Sequence, residues 1–318
     1  MKTFGLFSSF FFALSAFAQV SVSSSESMSE MLEQELGVVK QLTAQHVNYS
    51  TTYAAEDFGL PAPDTLRVRT ADGYGIFAYE CRPRHPKAVV ICLSGIENPS
   101  VTAFFGHAAE FYRRDVATLL PDLRGHGKSD GERICLAYEE TADVRALTDY
   151  VKTVAAYRDV PVLVFGLSMG AAVGLRAIGE NEDIDAVISL SSFSSFEDFM
   201  ECQRPYLLPG VPAEKIRELS AVSAALTFGV NPYASSPLHA LRGLKGRPVL
   251  LMHSRKDLQM PFICFERLLS AAQASSSAVS TYVAEGDEHF VCSDFLHPST
   301  DRPYFDALIN FLEKVVGR

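Results

Sequence analysis

The sequence contains no cluster of lysine and arginine residues, and acidic residues outnumber basic ones by 38 to 28. The formal net charge of −10 at pH 7 is the opposite of what a phosphate-binding surface requires. We therefore predict that the protein has no nucleic-acid partner.

Metal-ligand motifs are also missing. No C-x-x-C motif and no Cys/His pair has the spacing of a metal site, so no metal is predicted. The chain has only six cysteines, Cys81, Cys92, Cys135, Cys202, Cys264 and Cys292. An even count permits disulfides in an exported protein, but Cys92 lies within an apolar run, where a buried free thiol is favoured.

Long hydrophobic runs are confined to the N-terminus. Lys2 precedes an apolar run from Phe4 to Phe17, which is short for a membrane span, and Ala16-Phe17-Ala18 has the small residues of a cleavage site. Residues 1–18 are therefore predicted to be a signal peptide that is cut after Ala18, which implies a secreted or periplasmic protein; a retained membrane anchor is the alternative. No cysteine follows the cut, so lipoprotein processing is not expected. After cleavage no stable membrane span is predicted, because no later run is long enough.

The remainder is interpreted as one domain, because it has neither internal repeats nor long linkers. Residues 19–65 contain a Ser-rich stretch and a leader helix over residues 28–45, where apolar residues recur with helical spacing. Residues 66–318 alternate between apolar runs and helix-like segments. The predicted strands are 66–70, 75–81, 88–93, 116–120, 160–165, 186–190, 249–253 and 280–283, and the predicted helices include 101–114, 139–157, 262–272 and 304–316.

Strands rich in Val, Ile and Leu that alternate with helices are typical of a mostly parallel sheet covered on both faces. The predicted fold class is therefore α/β, with an eight-stranded sheet flanked by helices. Residues from about 193 to 244 interrupt the alternation with a helix-like segment rich in Phe and Leu. We interpret this segment as an inserted helical cap.

One pentapeptide stands out at the end of a predicted strand. Gly166-Leu167-Ser168-Met169-Gly170 matches G-x-S-x-G and follows the apolar run 162–165 directly. A strand that turns sharply into a helix strains the turning residue and tolerates only small neighbours. Ser168 is therefore the candidate nucleophile, with its hydroxyl held above the sheet.

An oxyanion hole is predicted from two backbone groups. The segment Ser94-Gly95-Ile96-Glu97-Asn98 follows the strand 88–93, at the edge of the sheet where ligands of α/β proteins bind. The backbone N–H groups of Ile96 and Met169 are the candidate donors.

The candidate acid and base follow the last two strands. Asp257 comes after the strand 249–253, and His289 lies in the segment that follows the strand 280–283. The order Ser, Asp, His is the one expected when the nucleophile sits mid-sheet. Asp287 and Glu288 compete with Asp257 as the acid, although they are too close in sequence to reach the far side of the His289 ring easily. His126 is the alternative histidine, but it lies in a Gly-rich segment better suited to supporting the site.

These blocks resemble the α/β-hydrolase superfamily from about residue 66 onward. Gly166–Gly170 is similar to its nucleophile elbow, Asp122–Ser129 to its D-x-R-G-H-G-x-S loop, and 251–257 and 286–290 to its acid and histidine loops. The nearest resemblance is to the serine aminopeptidase-like and monoglyceride lipase-like branch, including uncharacterised bacterial hydrolases. Two departures stand out: the chain has Ser94-Gly95 and His253-Ser254 where His-Gly is usual.

The resemblance implies a serine hydrolase with Ser168, Asp257 and His289 as a catalytic triad, an acyl-enzyme intermediate and no cofactor. The expected partner is a small ester or a short peptide. Apolar cap residues are the candidate substrate-binding set, namely Phe193, Phe196, Phe199 and Met200. Hydrolysis of carboxylic esters is the favoured function. The alternatives are a peptidase or amidase and a non-catalytic binding protein with the same fold.

Overall fold

The computed structural model describes residues 27–96, 100–276 and 278–317. The predicted signal peptide and nearly all of the Ser-rich stretch lie outside the described residues. The strands are β1 (Asp64–Arg69), β2 (Gly75–Cys81), β3 (Ala88–Leu93), β4 (Val116–Pro121), β5 (Val162–Leu167), β6 (Ala186–Leu190), β7 (Val249–Ser254) and β8 (Val279–Ala284). The helices are α1 (Met28–Thr43), α2 (Phe105–Tyr112), α3 (Thr141–Thr153), α4 (Met169–Glu180), α5 (Phe196–Leu207), α6 (Ala213–Phe228), α7 (Pro237–Ala240), α8 (Phe262–Ser275) and α9 (Arg302–Val316).

All eight strands form one sheet in the order β1-β2-β4-β3-β5-β6-β7-β8. The first strand pairs antiparallel with β2, β2 pairs antiparallel with β4, and every later pairing is parallel. The predicted mostly parallel α/β sheet is therefore confirmed. The strand order reverses direction between β3 and β5, and in open α/β sheets ligands bind beside such a switch point.

The central strands are mostly apolar because helices cover both faces of the sheet. Alternate residues of β3 enter opposite cores: Val89, Ile91 and Leu93 pack into the larger cluster, and Val90 and Cys92 into the smaller one. Every residue of β3, β4, β5, β6 and β7 is buried. Because the strands are buried, the candidate site residues lie after the strand ends, in the segments that follow them.

Several predicted boundaries shift by a few residues: the leader helix predicted over residues 28–45, for example, ends at Thr43, and three further shifts follow. The segment predicted as one helix over 101–114 begins as a 3-10 turn, Val101–Phe104, before α2. The helix predicted over 139–157 ends at Thr153, because Val154 is extended. The strand predicted to start at residue 160 begins at Val162, since Pro161 has no N–H to contribute to a ladder.

The cap residues predicted as an insertion carry α5, α6 and α7, and α1 packs against α6. Glu35 of α1 is buried at this contact and accepts a hydrogen bond of 2.9 Å from the Ser223 hydroxyl. Burial raises the pKa of Glu35 to about 7, although hydrogen bonds from Ser220 and Ser223 oppose the shift. The leader helix is therefore docked on the cap through a carboxyl group that burial biases towards its neutral form. Among the described residues, no helix has both the length and the apolar character needed to cross a bilayer.

A buried ion pair fixes the Gly-rich loop after β4. Arg124 donates from its backbone N–H and its Nε to the two carboxylate oxygens of Asp143, at 2.8 and 2.9 Å, and both side chains are buried. Burial alone would lower the pKa of Arg124, but hydrogen bonds and charges from Asp72 and Asp143 raise it above its ordinary value. The guanidinium thus stays charged and anchors the loop to α3.

We expect Asp143→Asn to lower the free energy of unfolding by about 3 kcal/mol, because the NH2 group of the asparagine would replace one acceptor oxygen and face the N–H donors of Arg124. Asp115→Asn is the matched control, since Asp115 pairs with Lys87 at an exposed site and should cost less than about 1 kcal/mol. Urea unfolding of both variants measures the difference. Equal losses would contradict the anchoring role of Arg124.

Candidate active site

Ser168 occupies a strained turn between β5 and α4. Its backbone has φ 53° and ψ −117°, a conformation that residues other than glycine rarely adopt. Its N–H donates to the Leu190 carbonyl at 2.8 Å, which ties the turn to the end of β6. The strain, of order 1–3 kcal/mol, is held by the surrounding structure and presents the Ser168 side chain at the carboxyl end of the sheet.

The glycines around Ser168 are required by backbone contacts. A Cβ at Gly166 would lie 2.2 Å from the Gly170 carbonyl oxygen, and one at Gly170 would lie 2.3 Å from the Leu93 oxygen and 2.5 Å from the Ser94 oxygen. Real Cβ atoms essentially never make such contacts. The G-x-S-x-G pattern therefore reflects close packing between the turn and the end of β3.

The loop after β3 lies directly against Ser168. A Cβ added at Gly95 would be 3.2 Å from the Ser168 Cβ and 3.8 Å from its Oγ. Ile96, the next residue, is half-buried and packs against the larger apolar cluster. Met169 is the first residue of α4, so its N–H has no acceptor within the helix. Met169 is thus next to Ser168 in the chain, and Gly95, which precedes Ile96, packs against it, while the use of the Ile96 and Met169 N–H groups as an oxyanion hole stays a prediction.

Asp257 and His289 form a buried pair. The Asp257 Oδ2 is 2.7 Å from the His289 Nδ1, and its Oδ1 accepts backbone N–H groups from Gln259 and Met260 at 2.8 and 3.0 Å. Burial by itself would raise the pKa of Asp257, but the charge and hydrogen bond of His289 and the Met260 N–H hold it below its ordinary value. Asp257 is therefore a charged carboxylate at neutral pH.

The alternative acids and the alternative base occupy different surroundings. Asp287 and Glu288 are exposed, whereas the carboxylate of Asp257 is buried against the imidazole. His126 is buried beneath the loop, with its Nδ1 3.0 Å from the Arg124 carbonyl oxygen. Burial lowers the pKa of His126 to about 4, so its ring is neutral and supports the loop.

Sequence reasoning missed two hydrogen bonds that position the acid and histidine loops. The Ser254 hydroxyl donates to the Glu288 carbonyl at 2.6 Å, immediately before His289. The His253 Nε2 lies 2.8 Å from the Met260 carbonyl oxygen and 3.8 Å from the Asp257 Oδ2. In the sequence, these contacts were indicated only by Ser254, which stands where the related hydrolases usually have the glycine of a His-Gly pair.

The four predicted substrate-binding residues lie in the apolar core between cap and sheet. Phe193, Phe196, Phe199 and Met200 are each no more than 6% exposed. The Phe193 and Phe199 rings are 5.7 Å apart, and Phe196 and Phe199 are 6.4 Å apart. Contact with a substrate remains a prediction for these residues, and their packing against one another is what the structure describes.

The cap also touches the acid loop. Gln203 of α5 donates from its Nε2 to the Gln259 carbonyl at 3.0 Å, and the Cys202 Sγ lies 3.2 Å from the same oxygen. All six cysteines are free, so no disulfide joins the cap to the sheet. Within the described ranges, no group of three or more His, Cys, Asp or Glu side chains is arranged to hold a metal ion.

Comparison with known proteins agrees with this fold. The sequence model of the family described as serine aminopeptidase, S33, matches residues 84–220. Monoglyceride lipase of Rattus norvegicus is 28% identical over 230 residues, which cover 68% of this chain and 74% of the lipase. The solved esterase of Pyrococcus furiosus has a TM-score of 0.69 at 17% identity, with 86% of this chain and 98% of the esterase covered.

The chain has the α/β-hydrolase fold. A further structure with this fold, the acylaminoacyl peptidase of Pyrococcus horikoshii, has a TM-score of 0.61 at 15% identity and covers 83% of this chain and 43% of that one. At these identities the structural likeness shows the shared α/β-hydrolase fold and nothing finer. The family model and the lipase similarity support an enzymatic hydrolase.

We expect Gly170→Ala to lower the free energy of unfolding by at least about 2 kcal/mol, because the new methyl group would collide with the Leu93 and Ser94 carbonyls. Gly37→Ala is the control: an added Cβ at Gly37 meets nothing within 4 Å, and alanine favours the helix by up to about 1 kcal/mol. Denaturant unfolding compares the two. Similar stabilities would mean that the turn does not need a glycine at residue 170.

Proposed function

We propose that this protein is a serine hydrolase that cleaves carboxylic esters through Ser168, His289 and Asp257. The observation that carries the proposal is the buried Asp257–His289 pair, which lies at the same edge of the sheet as the strained turn of Ser168. A serine hydroxyl is unreactive at its ordinary pKa and needs such a base.

In the proposed reaction, the His289 Nε2 accepts the Ser168 proton as the Oγ attacks the ester carbonyl carbon. The tetrahedral intermediate collapses when His289 returns that proton to the departing alcohol, which leaves an acyl group on Ser168. Water then attacks the acyl carbon with His289 again as the base, and the carboxylic acid product and the free serine are released.

The position of Asp257 supports this use of His289. Because the carboxylate accepts the Nδ1–H at 2.7 Å, the Nε2 is left as the proton acceptor. The carboxylate also stabilises the imidazolium that forms when Ser168 is deprotonated. The lowered pKa of Asp257 keeps this charge in place at neutral pH.

The oxyanion would be stabilised by the backbone N–H groups of Ile96 and Met169. Met169 starts α4, and the N-terminus of a helix favours developing negative charge. Removing one such donor in other enzymes costs about 3 kcal/mol of transition-state stabilisation.

The preference for an ester with a modest apolar acyl chain has two supports. Cap residues near the site are apolar, and the similar proteins include a monoglyceride lipase and an esterase. Peptide or amide hydrolysis is the second candidate, favoured by the match to the S33 serine aminopeptidase family. A non-catalytic binding protein is the third. We further propose that the enzyme acts outside the cytoplasm, on the basis of the signal-like residues 1–18.

A fluorophosphonate probe tests the triad. We expect rapid labelling of the wild-type protein, none of Ser168→Ala, and labelling of Asp257→Asn that is slower by roughly 10⁴-fold, because the histidine then loses its proper tautomer. The measurement is the second-order labelling rate of each variant.

Asp287→Asn is the matched control for the acid, since Asp287 is an exposed aspartate of the same site and should leave the rate unchanged. Labelling of the Ser168→Ala variant would contradict the proposed mechanism. A near-wild-type rate for Asp257→Asn, together with a slow Asp287→Asn, would move the role of the acid to Asp287.

A panel of p-nitrophenyl esters and aminoacyl-anilides separates the candidate substrates. We expect turnover of the esters, best with short to medium acyl chains, because apolar side chains dominate the underside of the cap. Initial rates at matched concentrations are the measurement, with Ser168→Ala as the blank. Turnover of the anilides alone would replace the ester assignment by peptidase or amidase activity.

A further inference from the structure

The segment between α1 and β1 runs along the Gly-rich loop after β4. Val47 forms a parallel bridge with His126: its N–H donates to the Gly125 carbonyl at 2.7 Å, and its carbonyl accepts the Gly127 N–H at 2.9 Å. His46 adds two contacts, with its Nδ1 2.7 Å from the Gly131 oxygen and its Nε2 3.0 Å from the Gly127 oxygen. This segment is therefore fixed to the Gly-rich loop after β4.

Tyr49 extends from this segment towards the loop after β3. Its ring stacks on His126, with centroids 6.3 Å apart and an interplanar angle of 28°. Its hydroxyl is buried and faces the side chains of Ser94 and Asp122, without a well-directed hydrogen bond to either. Burial and the nearby charge of Asp122 raise the pKa of Tyr49 well above its ordinary value, so the hydroxyl keeps its proton.

The same segment also contacts the far end of that loop. The Tyr53 N–H donates to the Thr102 hydroxyl at 3.0 Å, and this hydroxyl donates to the Ser100 Oγ at 3.0 Å. The segment that carries Tyr49 and Tyr53 is therefore fixed to Gly125 and Gly127 on one side and to Thr102 on the other.

From Tyr49 a short chain of contacts leads to the nucleophile. The Ser94 carbonyl packs against Gly170, where a Cβ would lie 2.5 Å away, and the next residue, Gly95, packs against Ser168. A displacement of Ser94 would therefore move both the oxyanion donor and the surroundings of the Ser168 hydroxyl.

We propose that Tyr49 is a positioning residue, whose hydroxyl acts on Ser94 to hold the oxyanion loop, residues 94–96, against Ser168. The inference rests on the proposed serine-hydrolase function and goes beyond it, because it assigns a role to the N-terminal segment. A buried hydroxyl that lacks a hydrogen bond costs about 1–3 kcal/mol, so a hydrogen bond between Tyr49 and the Ser94 side chain that it faces would be favourable and would hold Ser94 in place. Oxyanion stabilisation depends on donors that are fixed before the charge forms, and displacements of about 1 Å are costly.

The test is the kinetics of fluorophosphonate labelling, which separates initial binding, KI, from bond formation, kinact. For Tyr49→Phe, which keeps the ring and removes the hydroxyl, we expect kinact to fall by roughly tenfold while KI stays within about twofold. The fall is smaller than the 10²–10³-fold loss from deleting a donor outright. Tyr53→Phe is the matched control, since this substitution keeps the backbone N–H, and its kinact should match that of the wild type.

A double-mutant cycle tests the route through Ser94. If Tyr49 acts on Ser94, the Tyr49→Phe/Ser94→Ala protein should label no more slowly than the slower single variant, because both changes remove one interaction. Thermal midpoints of all variants show that each remains folded at the assay temperature.

The outcomes separate this inference from the proposed function. A wild-type rate for Tyr49→Phe, effects that multiply in the double variant, or a rise in KI with kinact unchanged would each overturn the positioning role while the triad stands. Failure of the wild-type protein to label, or labelling of Ser168→Ala, would overturn the proposed function and the positioning role with it.

Discussion

The close approach of backbone around Ser168 is the constraint on which the site depends. The turn at positive φ is possible only because Gly166 and Gly170 leave room for carbonyl groups that would otherwise collide with a methyl group. The same packing presses the end of β3 onto the turn and leaves space for Gly95 beside the serine. Ser168 and the segment Ser94–Gly95 are thus positioned by one set of contacts.

The second half of the site depends on the parallel pairing of β7 and β8. Their register brings Ser254 opposite Ala284, so that the segments which follow the two strands emerge side by side. The Ser254 hydroxyl then joins the acid segment to the Glu288 carbonyl, and Asp257 meets His289. A buried carboxylate is normally costly, but here two backbone N–H groups and an imidazole compensate its desolvation.

The parts outside the sheet are joined to this arrangement by polar contacts in apolar surroundings. Glu35 docks the leader helix on the cap, Gln203 joins the cap to the acid loop, and Val47 pairs with the Gly-rich loop after β4. Each contact links segments that are distant in the chain. The N-terminal segment is therefore packed onto the domain that carries the candidate site, although it precedes the residues that define the fold.

The sequence by itself determined the eight strands, the turn at Ser168 and the candidates Asp257 and His289. These features are local, since strands are indicated by runs of apolar residues and the turn by two glycines at fixed spacing. Only the tertiary structure decided that Asp257 faces His289, that Phe196 packs in the core, that the Ser254 hydroxyl bonds to the Glu288 carbonyl and that Tyr49 stacks on His126. Such contacts depend on strand register and on how distant segments pack, which no local pattern encodes.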